Sequence, residues 1–244
     1  MESDVKVEQP PKKDEDDNPD RVHVSIEPDK EVVSEAGPLT NGEVDVTQAV
    51  YREGKNLILN VSNRAITSFP EGVTNYDSLN TLVLSNNQLT ELPNEIGQFP
   101  HLETLILSHN KIRTVNRAVY LNYELRLLDI SENEISVISP DISSLTKLQE
   151  LVANSNHIEE LPPRIGEMEE LSLLVLSDNQ IRKIPDSIQK LRNLKVLALE
   201  RNALEYLNPE VCKIEELVRL GLSGNHIANL PREVENFVAL ESFI

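Results

Sequence analysis

The stretch LNTLVLSNNQLTELP, residues Leu79 to Pro93, decides the fold. Leu82 and Leu84 are two residues apart, which on a β-strand places both side chains on the same face. A polar residue, Asn87, follows them, and Pro93 cannot continue a strand ladder because it has no backbone N–H. The stretch therefore predicts a short strand with one apolar face, followed by a turn that contains an asparagine.

The same pattern returns every 23 residues without an insertion. The leading leucines are Leu79, Leu102, Leu125, Leu148, Leu171, Leu194, Leu217 and Leu240. Eight residues after each of the first seven stands an asparagine: Asn87, Asn110, Asn133, Asn156, Asn179, Asn202 and Asn225. A fixed period of this length and content is typical of leucine-rich repeats. It predicts one short strand per repeat, stacked into a parallel sheet whose return path lies on the back.

The predicted fold class is α/β, a right-handed leucine-rich repeat solenoid with a curved parallel sheet and short convex segments. Segments such as NEIGQF and DSIQKL are too short for a full helix, so a 3₁₀ or single helical turn is expected there. The predicted domains are an acidic disordered tail (1–43), an N-terminal cap helix (44–55) and the repeats (56–244), eight followed by a truncated ninth. Within the cap, Thr47 is the expected N-cap of a helix over Gln48 to Glu53, which stops at Gly54.

The repeat form L-x-x-L-x-L-x-x-N-x-L-x-x-L-P-x-x-I-x-x-L-x-x resembles the intracellular leucine-rich repeat proteins with 23-residue repeats. It is most similar to the Ras-associated scaffold group, which includes Ras-suppressor-like proteins. The proline is kept at Pro70, Pro93, Pro162, Pro185 and Pro231 and replaced by Asn116, Ser139 and Asn208. This resemblance implies a scaffold or adaptor without enzymatic activity, whose protein partner is a small Ras-type GTPase or a protein phosphatase.

The seven asparagines are predicted to be structural. The turn after each strand leaves backbone amides and carbonyls without ladder partners, and a buried unpaired polar group is costly. Asparagine carries two donors and one acceptor on a short side chain, so it can bond its own loop and the next one. The first repeat has Arg64 in this slot, which marks it as a terminal unit.

Composition limits the classes of partner. The net charge is −18, and the first 43 residues hold 13 acids and 5 bases, a net charge of −8. An acidic chain of this kind is disfavoured as a binder of nucleic acid or of an anionic membrane surface. Cys212 is the one cysteine, and no apolar stretch is long enough to span a membrane. These features, with no signal-peptide pattern at the start, predict an intracellular protein of the cytoplasm, with the nucleus as the alternative compartment.

The sheet face opposite the leucines, which we call the concave face, is the predicted binding site. Apolar side chains on neighbouring strands, about 4.8 Å apart, should touch there and form a solvent-facing stripe rimmed by charges. Its predicted partner-binding residues are Val83, Ile106, Leu127, Asp129, Glu132, Glu150, Val152, Leu173, Val175, Arg201 and Arg219. A partner with an apolar ridge and a basic spot would fit this arrangement.

No catalytic residue, cofactor or metal is predicted. An open sheet offers no cleft that would exclude water and tune a carboxylate pair. The alternative function arises from the abrupt end at Ile244, which leaves the ninth repeat incomplete. The chain would then be a fragment or short isoform, and the repeats would recruit substrates for a longer multidomain enzyme. A third hypothesis is end-to-end association at the uncapped edge.

Overall fold

A computed structural model describes residues 45–243, and the acidic tail predicted for residues 1–43 lies outside this range. Ten strands form one sheet in sequential order. Their bounds are β1 (Val50–Glu53), β2 (Asn56–Asn60), β3 (Leu79–Val83), β4 (Thr104–Ile106), β5 (Leu127–Asp129), β6 (Glu150–Val152), β7 (Leu173–Val175), β8 (Val196–Ala198), β9 (Arg219–Gly221) and β10 (Ser242–Phe243). Strand β1 pairs with β2 in antiparallel fashion, and every later pair is parallel.

The strand register follows the sequence period. Leu128 in β5 pairs with Leu105 in β4 and with Leu151 in β6, each 23 residues away. All three side chains are fully buried in one continuous core beneath the sheet. The predicted leucine-rich repeat solenoid is therefore confirmed, because each repeat buries its leucines only against those of its neighbours.

Short 3₁₀ segments return the chain behind the sheet, as predicted. After an N-terminal turn at Val46–Gln48 they span Val73–Asn75, Asn94–Gly97, Arg117–Leu121, Pro140–Ser144, Ile165–Glu167, Asp186–Lys190, Pro209–Lys213 and Arg232–Asn236. The three departures from the proline slot act as N-caps of these segments. Asn116 Oδ1 accepts a hydrogen bond from Ala118 N at 2.9 Å, and Asn208 and Ser139 cap in the same way. A capping side chain replaces a proline that only fixes the backbone angle. None of the described helical segments is long and apolar enough to cross a membrane.

The N-terminal cap is a β-hairpin, so the prediction of a cap helix over Gln48 to Glu53 is wrong. A 3₁₀ turn at Val46–Gln48 is capped by Asp45, and the chain then enters β1. Gly54 lies in the left-handed region, with φ of 60°, and reverses the chain into β2. Strand pairing outweighs local helix propensity in this segment, because β1 covers the otherwise open hydrogen-bonding edge of β2.

The asparagine ladder connects each coil to the one before it. In the fourth coil, Asn133 Oδ1 accepts from Ile112 N at 3.0 Å, and Asn133 Nδ2 donates to Leu107 O at 3.1 Å. The same amide nitrogen also donates to Ile130 O and Ser131 O within its own turn. The asparagine side chains bond the preceding coil rather than the next one. The first repeat has no preceding repeat, so its slot does not need an asparagine. Arg64 can therefore stand in its slot.

In one coil, a polar residue is buried and its two apolar neighbours are exposed. Asn122 occupies a slot that holds Phe99 and Leu145 in the adjacent coils, and its side chain is 2% exposed. Its Nδ2 atom donates to Ile96 O and Val119 O, but its Oδ1 atom accepts no hydrogen bond from the described residues. The flanking Leu121 and Tyr123 are instead more than half exposed. They line a surface groove of about 330 Å³ outside the sheet.

Replacing Asn122 by leucine should raise the free energy of unfolding by about 1 kcal/mol, because it removes a buried acceptor that has no partner and fills the slot with an apolar side chain. We expect these gains to exceed the loss of the side-chain bonds to Ile96 O and Val119 O, since Val119 O keeps its backbone hydrogen bond from Asn122 N. The equivalent slot already accepts Leu145 and Leu191. Urea unfolding followed by circular dichroism would measure the change. The reverse substitution, Leu145→Asn, is the control and should destabilise by about 2–4 kcal/mol. A lower midpoint for Asn122→Leu would show that the two carbonyl contacts outweigh the unpaired oxygen.

Candidate functional site

The concave face carries two side-chain columns, because alternate residues of each strand point away from the core. The first column is Thr81, Thr104, Leu127, Glu150, Leu173, Val196 and Arg219. The second column is Val83, Ile106, Asp129, Val152, Val175, Ala198 and Gly221. Glu132 and Arg201 lie in the turns that follow β5 and β8, at the rim of the face. The topology thus brings the predicted site residues onto one surface.

The second column is buried, so its predicted solvent exposure is wrong. Its six residues with side chains are between 1% and 8% exposed. They are absent from the main core, and Val152, Val175 and Ala198 form a separate small cluster against which Leu173 packs. The side chains of neighbouring strands touch, as expected, but they cover one another so completely that little surface is left. A partner cannot contact Val83, Ile106, Val152 or Val175 as freely as the sequence analysis assumed.

The first column supplies the accessible part of the face. Leu127, Glu150, Leu173 and Val196 are each partly exposed and stand side by side on β5 to β8. Leu127 pairs with Glu150, which pairs in turn with Leu173, so one carboxylate lies between two leucines. Partly exposed apolar side chains on the middle of an open sheet face are typical of binding surfaces.

Two of the predicted acidic residues already have partners. Asp129 Oδ1 accepts hydrogen bonds from Ser131 N at 3.0 Å and Ser131 Oγ at 2.6 Å. This buried carboxylate holds the turn after β5. Glu132 Oε2 lies 2.7 Å from His109 Nδ1 of the preceding coil. Both rim residues have positive φ angles, 51° for Glu132 and 55° for His109, which turns the side chains to the same edge of the sheet.

The two predicted arginines also form ion pairs. Arg201 binds Asp178 of the preceding coil through both its Nε and Nη2 atoms. Arg219 Nη2 lies 3.6 Å from Glu200 Oε1. The basic residues of the C-terminal part of the face are therefore held in place by acids from the preceding coil.

Glu200 is a site residue that the sequence analysis missed. Its side chain is almost fully buried on the concave side, and Oε2 accepts a hydrogen bond from Ser177 Oγ at 2.7 Å. A Cβ atom on Gly221 would lie 1.7 Å from Glu200 Oε1, so the glycine makes room for the carboxylate. The signal was present in the sequence, because Glu200 follows its strand at a position that is serine in Ser85, Ser108, Ser131 and Ser177.

The arrangement does not form a metal centre among residues 45–243. No three histidine, cysteine, aspartate or glutamate side chains of this range are grouped to hold a metal ion. His157 and His226 are exposed on the loop edges. Cys212 is buried in the core, and burial, together with the nearby Glu233, raises the pKa of its thiol. A buried thiol with a raised pKa is a poor nucleophile, because the thiolate is the reactive form.

The leucine rich repeat family model matches residues 56–112, 100–158 and 168–227. These matches cover most of the chain, and the chain belongs to the leucine-rich repeat family. Proteins of this kind generally mediate protein–protein interactions through an extended concave surface. Among curated protein sequences, none matches the chain significantly.

Solved structures show the same fold. A leucine-rich repeat protein of Leptospira interrogans is 31% identical, with a TM-score of 0.71 over 73% of this chain and 45% of that chain. The leucine-rich repeat ectodomain of the plant membrane receptor kinase GASSHO1/SCHENGEN3 from Arabidopsis thaliana is 28% identical, with a TM-score of 0.67 over 76% of this chain and 23% of that chain. Internalin C2 of Listeria monocytogenes, at 22% identity and a TM-score of 0.68 over 76% of this chain and 79% of that chain, shares the fold. The chain thus spans less than half of the first two proteins.

Proposed function

We propose that this protein is a non-enzymatic interaction module that holds a protein partner on the concave face. The observation that carries the proposal is the row of partly exposed side chains Leu127, Leu173 and Val196 at the middle of the sheet. No other described element covers this row. A partner that buries these side chains gains about 25 cal/mol for each Å² of apolar surface removed from water.

The comparisons support a protein as the ligand class. The Arabidopsis ectodomain was solved in complex with CASPARIAN STRIP INTEGRITY FACTOR 2. The resemblance of the repeat form to Ras-suppressor-like scaffolds narrows the proposal to an adaptor in signalling around a small Ras-type GTPase or a protein phosphatase, in the cytoplasm. The substrate-recruiting role within a longer enzyme stays a prediction.

The double substitution Leu127→Ser and Leu173→Ser tests the proposal. Partner proteins would first be recovered by affinity purification and identified by mass spectrometry. Each would then be prepared in pure form, and its affinity for the wild-type chain would be measured directly. We expect the double variant to lose at least about tenfold in affinity, because a buried leucine contributes about 1.5–3 kcal/mol. Purified Ras-type GTPases and phosphatase catalytic subunits would be measured in the same assay.

The control is Leu121→Ser, which removes an exposed leucine outside the sheet. It should leave the affinity unchanged, and circular dichroism should show folded protein for all variants. Equal binding by the wild type and the double variant would contradict a partner site on the concave face.

A further inference from the structure

Within residues 45–243, the charged side chains of the concave face have hydrogen-bond or ion-pair partners, with one exception. Asp129 is held by Ser131, Glu132 lies beside His109, and the arginines at 201 and 219 pair with acids. At the edge of the face, Arg126 lies 3.5 Å from Glu103. The carboxylate of Glu150 makes no hydrogen bond or ion pair with any residue in 45–243.

Apolar side chains flank Glu150 on both neighbouring strands. Its side chain is partly buried on β6, with Leu127 on one neighbouring strand and Leu173 on the other, each about 4.8 Å away. The next side chain of β6 on the same face is the buried Val152. The second carboxylate of this region, Asp129, lies on β5 diagonally across from Glu150, because it is two residues beyond Leu127, the strand partner of Glu150. Two acids and two leucines therefore surround one small area of the face.

We infer that Glu150 is the contact for a lysine or arginine side chain of the partner protein. The aliphatic stem of that side chain would lie along Leu127 and Leu173, and its cationic end would reach the free carboxylate. This inference rests on the proposed function, because it names the chemistry of the partner at the same face. The partner segment that fits is a basic residue flanked by apolar ones.

Other occupants fit the area less well. A metal ion would need further ligands, and the described residues offer no group of three. A second copy of this chain would bring another acidic surface, since residues 44–244 carry 28 acids and 18 bases. Like-charge contact opposes such an association.

A random dodecapeptide library displayed on phage, selected against the whole immobilised chain, provides the probe. We expect the enriched peptides to share a lysine or arginine next to apolar residues. In fluorescence anisotropy, replacing that cation by norleucine or citrulline in the synthetic peptide should weaken binding to the wild type by about tenfold or more. On the Glu150→Gln variant the same replacement should change the affinity less than about twofold, because the charge it would meet is gone.

The Glu160→Gln variant is the matched control, because it removes one exposed carboxylate of the same coil outside the sheet. It should respond to the cation replacement as the wild type does. If the peptides need Leu127 and Leu173 but the cation matters equally on wild type and Glu150→Gln, this inference is overturned and the proposed function stands. If no peptide is enriched, or the enriched peptides bind the Leu127→Ser and Leu173→Ser double variant as well as the wild type, both are overturned.

Discussion

Replacing Leu128 by alanine should lower the free energy of unfolding by about 2–5 kcal/mol. Leu128 is fully buried at the centre of the array, between Leu105 and Leu151 of the adjacent strands. The truncation removes apolar contacts on both sides and leaves a cavity that the paired strands cannot close. Urea unfolding by circular dichroism would show the effect as a lower transition midpoint.

The matched control for this prediction is Leu121→Ala, because it deletes the same atoms from a leucine that is 54% exposed. It should change stability by no more than about 0.5 kcal/mol. If the urea transition of Leu128→Ala also has a smaller slope, the array unfolds in parts. Such behaviour is expected where each repeat contacts only its neighbours. Equal losses of stability for the two variants would contradict the assignment of Leu128 to the shared core.

The repeat fold could be predicted from the sequence because its determinants occur in every coil. The positions of Leu105, Leu128 and Leu151 repeat at one spacing, and the same environment acts on each of them. The cap has no such copies. The segment around Val50 was assigned by local propensity alone, and its pairing with β2 depends on an exposed edge that the local sequence does not reveal.

The candidate site was predicted only in part, because alternation along a strand gives the face of a side chain but not its depth. Val175 points away from the core as expected, yet it is 1% exposed, since Val152 and Ala198 cover it from both sides. Apart from the buried Thr81, the residues of the first column are partly exposed, and among these Leu127, Glu150, Leu173 and Arg219 were predicted. How deeply a side chain on this face is buried depends on the side chains of the neighbouring strands. Its depth can therefore be determined only from the whole sheet.

Two further departures from the repeat lie at buried positions that the sequence analysis did not single out. Asn122 stands in an apolar slot and Glu200 in a serine slot, and both side chains are buried. Each is unusual in its environment rather than in its immediate sequence. Aligning the coils by slot would have identified both residues, whereas a search for motifs along the chain could not.

Replacing Asn133 by alanine should lower the free energy of unfolding by about 1–3 kcal/mol, because it leaves buried backbone groups without partners. The groups affected are Ile112 N and Leu107 O on the preceding coil and two carbonyls of its own turn. Asn133→Asp keeps the acceptor for Ile112 N but loses the donors and places a carboxylate among carbonyl oxygens. It should therefore destabilise at neutral pH at least as much as alanine does.

Asn193→Ala provides the comparison, because Asn193 Nδ2 also donates to a carbonyl of the preceding coil, Glu169 O at 2.8 Å, but on an exposed side chain. Water can replace that bond, so the loss should stay within about 0.5 kcal/mol. Urea midpoints of the three variants would rank them. If Asn133→Ala were as mild as Asn193→Ala, the ladder would not be what joins the coils, and the leucines alone would account for the stability of the stack.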